Sequence, residues 1–373
     1  MIERLLNIKK YISAGKVMVL FGPRRSGKTT LLKSFLADAK NETVLFLNGD
    51  RYDVRNRLLP ENFADFELSL KGLDILAIDE AQNIPRIGET LKLIIDEYPN
   101  IAIIATGSSS FDLREQIGEP LVGRKSTNIL YPFSILELKN WRLTAEILEN
   151  TIIYGFYPNS IIAKSDSDRE EFLYELVDSL LLKDILSYKD IKSPEVIYNL
   201  LKLLAYQIGN EVSTNELSNK LGIHKDTVNR YLDLLEKSFV IIKIFGFSAN
   251  LRNEVTKKPK YYFQDVGVRN AIIRDFTPIG QRKDKGALFE NWAIMERVKR
   301  NSYAKYNAEL KFWRNYQGNE IDLVEIKDAK LSLYEFKYSS TNAKVPKQFA
   351  KNVKFETFDV IYKDNVFEWL TSF

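Results

Sequence analysis

Gly22-Pro-Arg-Arg-Ser-Gly-Lys-Thr-Thr30 lies between the apolar run Val17-Met-Val-Leu-Phe21 and the helical pattern Leu31-Leu-Lys-Ser-Phe-Leu36, and its reading decides the fold. Strand, glycine loop and helix follow in that order, and Gly22-x4-Gly27-Lys28-Thr29 has the spacing of a phosphate-binding P-loop. The residues expected to wrap phosphates are Gly22, Pro23, Arg24, Arg25, Ser26, Gly27, Lys28, Thr29 and Thr30. Glycines let backbone N–H groups converge on phosphate oxygens at a helix N-terminus. Lys28 is then placed to reach the β- and γ-phosphates and the Thr29 hydroxyl to ligate Mg²⁺, while Arg24 and Arg25 add positive charge to the loop.

Working outward, strand-like runs recur at 43–47, 73–78 and 101–105, with a helical stretch at 87–97 between the last two. Such alternation predicts an α/β fold whose mainly parallel sheet is covered on both faces. The run ending at Ile78 enters Asp79-Glu80. Asp79 is expected beside the metal, with Glu80 orienting or deprotonating an attacking water. The next run ends in Thr106-Gly107-Ser108, where Ser108 either touches the γ-phosphate or its water, or merely makes a turn. Arg124 is a candidate cation for transition-state charge, within the subunit or across a homo-oligomer interface, and Arg114 is its rival.

The chain has 373 residues, no Cys, one His and three Met. Sulfur and imidazole are needed for structural zinc, iron–sulfur clusters, disulfides and Ser–His or Cys–His nucleophile pairs, so these are excluded unless His224 takes part. Any metal is held by oxygen. His224 precedes a helix with no partner for a shared metal, and a capping or surface role is expected. The start of the chain lacks a signal-peptide pattern, and no stretch approaches the apolar length of a membrane span. A cytoplasmic protein without a membrane partner is expected. Residues 256–373 hold 22 Lys/Arg against 15 Asp/Glu, a net +7, which leaves −3 for residues 1–255. That excess points to an anionic partner for the last third.

Four segments are expected: a P-loop domain at 1–135, a helical subdomain at 136–192, a winged helix-turn-helix at 193–265, and an α/β domain at 266–373. The third has helices at 194–207, 213–222 and 224–238, followed by β-branched residues. Its wing would span 241–263 and carry Lys257, Lys258 and Lys260. Val228, Tyr231, Leu232 and Leu235 form a buried stripe that leaves Lys225, Asn229 and Arg230 for a duplex or a protein partner.

Gly22-Pro-Arg-Arg-x-Gly-Lys-Thr-Thr, Ile78-Asp-Glu-Ala-Gln82, Ala105-Thr-Gly-Ser-Ser109, Gly123-Arg124 and Tyr131-Pro-Phe-Ser-x-x-Glu137 resemble the prokaryotic AAA-type ATPases that carry a C-terminal domain of unknown function. The resemblance covers nearly the whole chain and implies ATP as ligand and Mg²⁺-dependent hydrolysis. It further implies a C-terminal part similar to PD-(D/E)XK nucleases, of restriction-endonuclease-like fold, acting on DNA.

That implication can be set against the residues. A hairpin turning at Asp328-Ala329 pairs positions that sum to 657, so Asp322 faces Glu335 and Glu320 faces Lys337. Alternation puts these four on one face, continued by Val324, Leu333, Ile326 and Leu331. Opposed carboxylates repel unless a cation or a proton intervenes. Glu290, Asp322 and Glu335 are therefore candidate metal ligands, with Lys337 to stabilise a nucleophilic water or the phosphate. The alternative is a solvated hairpin end whose acids pair with nearby lysines, or a nuclease-like domain kept only for nucleotide-controlled binding. Lys344, Lys347, Lys351 and Lys354 follow at helical spacing, as a solvated face or a phosphate contact.

Overall fold

The computed structural model describes residues 2–108, 117–118, 120–138, 144–179, 193–248 and 258–371. Arg114, Ser109 and Lys257 lie outside the described residues. By internal contacts the chain divides into residues 3–132 with 237–239, and residues 133–236 with 240–373.

The first unit is a five-stranded sheet in the order β2-β3-β4-β1-β5, all parallel. Its strands are β1 (Val17–Phe21), β2 (Val44–Asn48), β3 (Ile75–Asp79), β4 (Ala102–Gly107) and β5 (Lys125–Ile129). The helices are α1 (Lys28–Asp38), α2 (Tyr52–Arg57), α3 (Phe63–Glu67) and α4 (Ile87–Glu97). The three inner strands are buried at every residue, which is why they read as unbroken apolar runs. β5 escapes such a reading, because Lys125-Ser-Thr-Asn-Ile129 is an edge strand paired only with β1.

The second unit begins with α5 (Ala145–Tyr154), α6 (Pro158–Ile162) and α7 (Asp166–Ser179), followed by α8 (Pro194–Tyr206), α9 (Thr214–Leu221) and α10 (Lys225–Lys237). Ser213 caps α9 by accepting from Glu216 N, and Gly222 ends it at φ 65°, a left-handed position suited to glycine. After β6 (Ile241–Gly246) and β7 (Lys260–Phe263) come α11 (Val266–Ile273) and α12 (Lys285–Tyr303). Then follow β8 (Glu309–Arg314), β9 (Glu320–Lys327), β10 (Lys330–Phe336), α13 (Lys347–Asn352), β11 (Thr357–Ile361) and α14 (Val366–Thr371).

β6 and β7 do not stand apart as a wing. β6 pairs with β8, and the six strands form one sheet, β11-β10-β9-β8-β6-β7. A boundary at residue 265 therefore cuts a continuous sheet, an arrangement that strand propensity alone cannot distinguish from a free hairpin.

The β9–β10 register sums to 657 as expected, from Lys330 opposite Lys327 to Tyr334 opposite Leu323. The alternation fails at one place. From Lys311 to Trp313 β8 advances two residues while β9 covers three, Val324 to Ile321, so β9 carries a bulge. A bulge turns one residue onto the wrong side of the pleat. Ile321 and Val324 consequently share one core with Leu333 and Phe349, while Leu323 packs in the other with Tyr334 and Phe336. Val324 thus lies on the opposite side of β9 from Leu323, while Leu333 and Glu335, two apart on the unbroken β10, keep one face.

Candidate nucleotide site and C-terminal carboxylate cluster

Parallel strands end on the same edge of a sheet, so Phe21, Asp79 and Gly107 deliver the loops that follow them to one place. The loop after β1 is held close: a Cβ on Gly22 would overlap the Leu130 carbonyl oxygen, and Gly27, at φ 98°, stands at the N-cap of α1. Lys28 opens that helix, is 4% exposed, and its ammonium donates to the carbonyls of Gly22 and Pro23 at 2.9 Å each. Ser26 is fully buried, and its Oγ has no hydrogen-bond partner among the described residues. A buried hydroxyl of that kind suits a loop that takes an oxygen-rich ligand. Arg24 is half-buried; Arg25 and Thr30 are exposed.

The two strand-end residues are joined directly. Thr29 Oγ1 donates to Asp79 Oδ2 at 2.8 Å, and Thr106 Oγ1 donates to Asp79 Oδ1 at 2.6 Å. Thr106 also accepts the backbone N–H of Glu80 at 3.1 Å. Glu80 sits at φ 51°, so the chain turns sharply after β3 and the carboxylate is re-aimed. That carboxylate is engaged: Gln82 Nε2 donates to Glu80 Oε2 at 2.5 Å and to Ser108 Oγ at 3.0 Å, and Ser108 Oγ donates to Glu80 Oε2 at 3.3 Å. Ser108 thus touches the Glu80 carboxylate. Thr106 and Gln82, both within the quoted motifs, are the two residues of this network that spacing alone does not single out. Thr29 and Asp79 supply oxygen donors side by side, the donor chemistry that Mg²⁺ takes when it binds with substrate phosphates.

Arg124 does not belong to this site. Val17 N donates to the Arg124 carbonyl, which places Arg124 at the opposite end of β1 from the phosphate loop. Five residues of strand separate the two, about 15 Å at the rise of a parallel strand. Its guanidinium pairs with Asp96 at the end of α4, half exposed. The assignment of Arg124 as a cation for its own subunit's site is therefore overturned. Arg124→Ala is expected to leave nucleotide binding at this site within about twofold, the usual outcome for an exposed ion pair. A drop beyond tenfold that deepens on dilution would instead show action on a second copy.

The C-terminal carboxylates do converge, but around a lysine. Lys260, expected in a basic wing, is fully buried on β7, and its Nζ lies 3.1 Å from Glu290 Oε1 and against Glu320 Oε1. Tyr262 Oη donates to Glu290 Oε1 at 2.5 Å, and Lys337 Nζ donates to Glu335 Oε1 at 2.7 Å. Asp322 Oδ2 accepts the Phe336 N–H at 2.8 Å. Burial lowers an ammonium pKa, but Glu290, Glu320 and Asp322 outweigh it, so Lys260 stands above the ordinary lysine value. Burial first, then Glu290 and Glu335, push the Asp322 carboxyl well up despite Lys260 and the Phe336 N–H. Among the described residues no three His, Cys, Asp or Glu side chains are arranged to hold a metal ion. Glu290, Asp322 and Glu335 do not fit as a ligand set here, because Lys260 already pairs with Glu290 and Lys337 with Glu335.

Part of the basic excess of the last third is internal, since seven buried cations stand against four buried acids, Asp265, Glu296, Asp322 and Glu325. Lys260, Arg269, Arg282, Arg297, Lys299, Arg300 and Lys311 are all buried. Lys225, Asn229 and Arg230 on α10 are exposed over the buried Val228, Tyr231, Leu232 and Leu235. His224 is exposed, as expected. No helix among the described residues is long and apolar enough to cross a membrane.

Residues 14–139 match the AAA domain family (AAA_14). Residues 145–279 and 285–369 match two domains of unknown function, DUF8612 and DUF4143. The uncharacterized protein MJ1544 of Methanocaldococcus jannaschii is 24% identical over 397 aligned positions, covering 99% of this chain and 87% of that one. An uncharacterized protein of Haemophilus influenzae is 25% identical, covering 69% of each. Among solved structures, AMPPCP-bound DnaA from Aquifex aeolicus aligns at 16% identity with a TM-score of 0.29, over 62% of this chain and 83% of that one. The matched family, the P-loop and the parallel sheet agree: residues 14–139 match the AAA domain family and carry its phosphate-loop pattern at the end of a parallel sheet.

Proposed function

We propose that this domain hydrolyses ATP with Mg²⁺, and that the bound nucleotide controls the grip of the second unit on duplex DNA. The observation that carries the first half is the chain of contacts Thr29–Asp79–Thr106–Glu80. Thr29 and Asp79 would hold the ion, which supplies positive charge against the β- and γ-phosphate oxygens. Lys28 exchanges its two carbonyl partners for those oxygens, and backbone N–H groups of the loop receive the rest. Glu80 takes the proton of the attacking water once its carboxylate turns from Gln82 and Ser108. Ser108 is then left facing the water. Binding alone does not call for a second carboxylate after β3.

Support for the second half is the three-helix arrangement α8–α10 leading into β6, a winged-helix-like order, with Lys225, Asn229 and Arg230 exposed on the last helix. Cutting is not part of this reading, since the carboxylate cluster already contains its cation. Fluorescence anisotropy with a labelled duplex tests the coupling. The expected result is different affinity with ATP and with ADP in wild type, no such difference in Lys28→Ala, and weaker binding with a shallower salt dependence in Lys225→Ala/Arg230→Ala. Equal binding by wild type and the double variant would sink the DNA reading and leave a protein partner for that face. ATP turnover by Lys28→Ala at the wild-type rate would sink the nucleotide reading.

A further inference from the structure

We infer that Lys260 is the built-in cation of the carboxylate cluster, standing where a divalent metal would otherwise be needed, so that Glu290, Glu320, Asp322 and Glu335 form a structural joint instead of a metal-dependent cutting site. The inference stands apart from the ATPase reading and concerns only the second unit.

The geometry is that of a designed counterion. An ammonium at the end of a long side chain is buried only when paired. Here it is completely enclosed, touches two carboxylates, and lies 5.1 Å from the centroid of the Phe312 ring. The remaining groups have partners of their own. Tyr262 holds Glu290, the Phe336 N–H holds Asp322, and Lys337 holds Glu335. Arg314 adds a longer contact to Glu320 at 3.9 Å. A metal entering this set would have to displace the fully buried Lys260 ammonium from its two carboxylates.

The lysine is also well anchored. Its backbone bridges to Glu211 in the connection between α8 and α9, and Val212 N donates to Pro259 O at 2.8 Å. Gly209, at φ 74°, lets that same connection approach Glu290: a Cβ there would stand 3.1 Å from Glu290 Oε2. Glu290 of α12 and Glu320 of β9 are thus tied through Lys260 to the connection between α8 and α9. In this arrangement the cluster fixes the helical layer against the six-stranded sheet.

Mn²⁺ is the probe. The full-length chain carrying Asp79→Asn, so that the nucleotide site takes no part, is titrated with Mn²⁺ by electron paramagnetic resonance, with and without Glu335→Ala. Identical curves and a melting temperature unmoved by Mn²⁺ are expected. Lys260→Ala, in the same background, is expected to melt several degrees lower and to recover on adding Mn²⁺, with EDTA reversing the recovery. A Glu335-dependent Mn²⁺ site in the chain that retains Lys260 overturns the inference. So does DNA nicking that disappears with Glu335→Ala, or a Lys260→Ala chain that melts as wild type and ignores Mn²⁺. Should Lys260→Ala fail to fold, the titration of the Lys260-containing chain decides alone.

Discussion

Glu80→Gln is expected to bind ATP as wild type does and to lose hydrolysis by about 10²–10⁴-fold, the usual contribution of a positioned general base. The substitution isolates the chemistry because the local structure has reasons to survive it. The backbone N–H of residue 80 still donates to Thr106 Oγ1, and an amide oxygen still accepts from Gln82 Nε2 and Ser108 Oγ. What disappears is the ability to take a proton. Lys28→Ala should behave differently, losing nucleotide affinity as well as rate, since the ammonium meets the phosphates in the ground state too. Single-turnover phosphate release, together with binding of a fluorescent ATP analogue, separates the two. Loss of affinity in Glu80→Gln equal to that of Lys28→Ala would show that the carboxylate is structural and the base lies elsewhere.

The nucleotide site was legible because it is assembled from loops at the ends of strands that read as strands. Gly22 to Thr30 is local, and Asp79 and Thr106 follow apolar runs whose parallel pairing brings their ends together without further information. Arg124 was misplaced for the same topological reason. It precedes a strand, so it stands at the other edge of the sheet, and the polar edge strand β5 gave no warning that a strand began there. The hairpin register from 323 to 334 agrees with the expectation, yet the bulge at Ile321–Val324 does not show in the sequence, since it depends on how β9 pairs with β8 and not on β9 itself. Lys260 was the costliest misreading. A lysine beside Lys257 and Lys258 looks like part of a solvated patch, and only the long-range pairing of β6 with β8 carries it to Glu290 and Glu320. Charge counted along the chain could not reveal that seven of those cations, with four of the acids, lie inside the fold.

The same internal electrostatics set the second large effect. Glu325 on β9 is 3% exposed, and its two oxygens each lie 3.1 Å from Arg297 Nε on α12, with Asn301 Nδ2 at 2.6 Å from Oε1. Arg297 in turn donates to the Trp369 carbonyl at 3.2 Å and stacks 4.9 Å from the Trp369 ring. This network joins α12, β9 and α14 on charges that solvent scarcely reaches. Removing one member strands the other in the interior, so Glu325→Ala is expected to destabilise the second unit by about 3–5 kcal/mol. Replacing both Arg297 and Glu325 by apolar residues of similar volume should recover most of that loss, because no buried charge is then left unpaired. Denaturant unfolding followed by tryptophan fluorescence reports both, with Trp369 at the network itself. If Glu325→Ala unfolds at the wild-type midpoint, water reaches this pair; if the double replacement is as unstable as the single, shape and not charge holds the three elements together. By the same reasoning the Lys260 cluster should tolerate no single neutralisation of its lysine without a replacement cation, which makes the two networks physically alike despite their different places in the sheet.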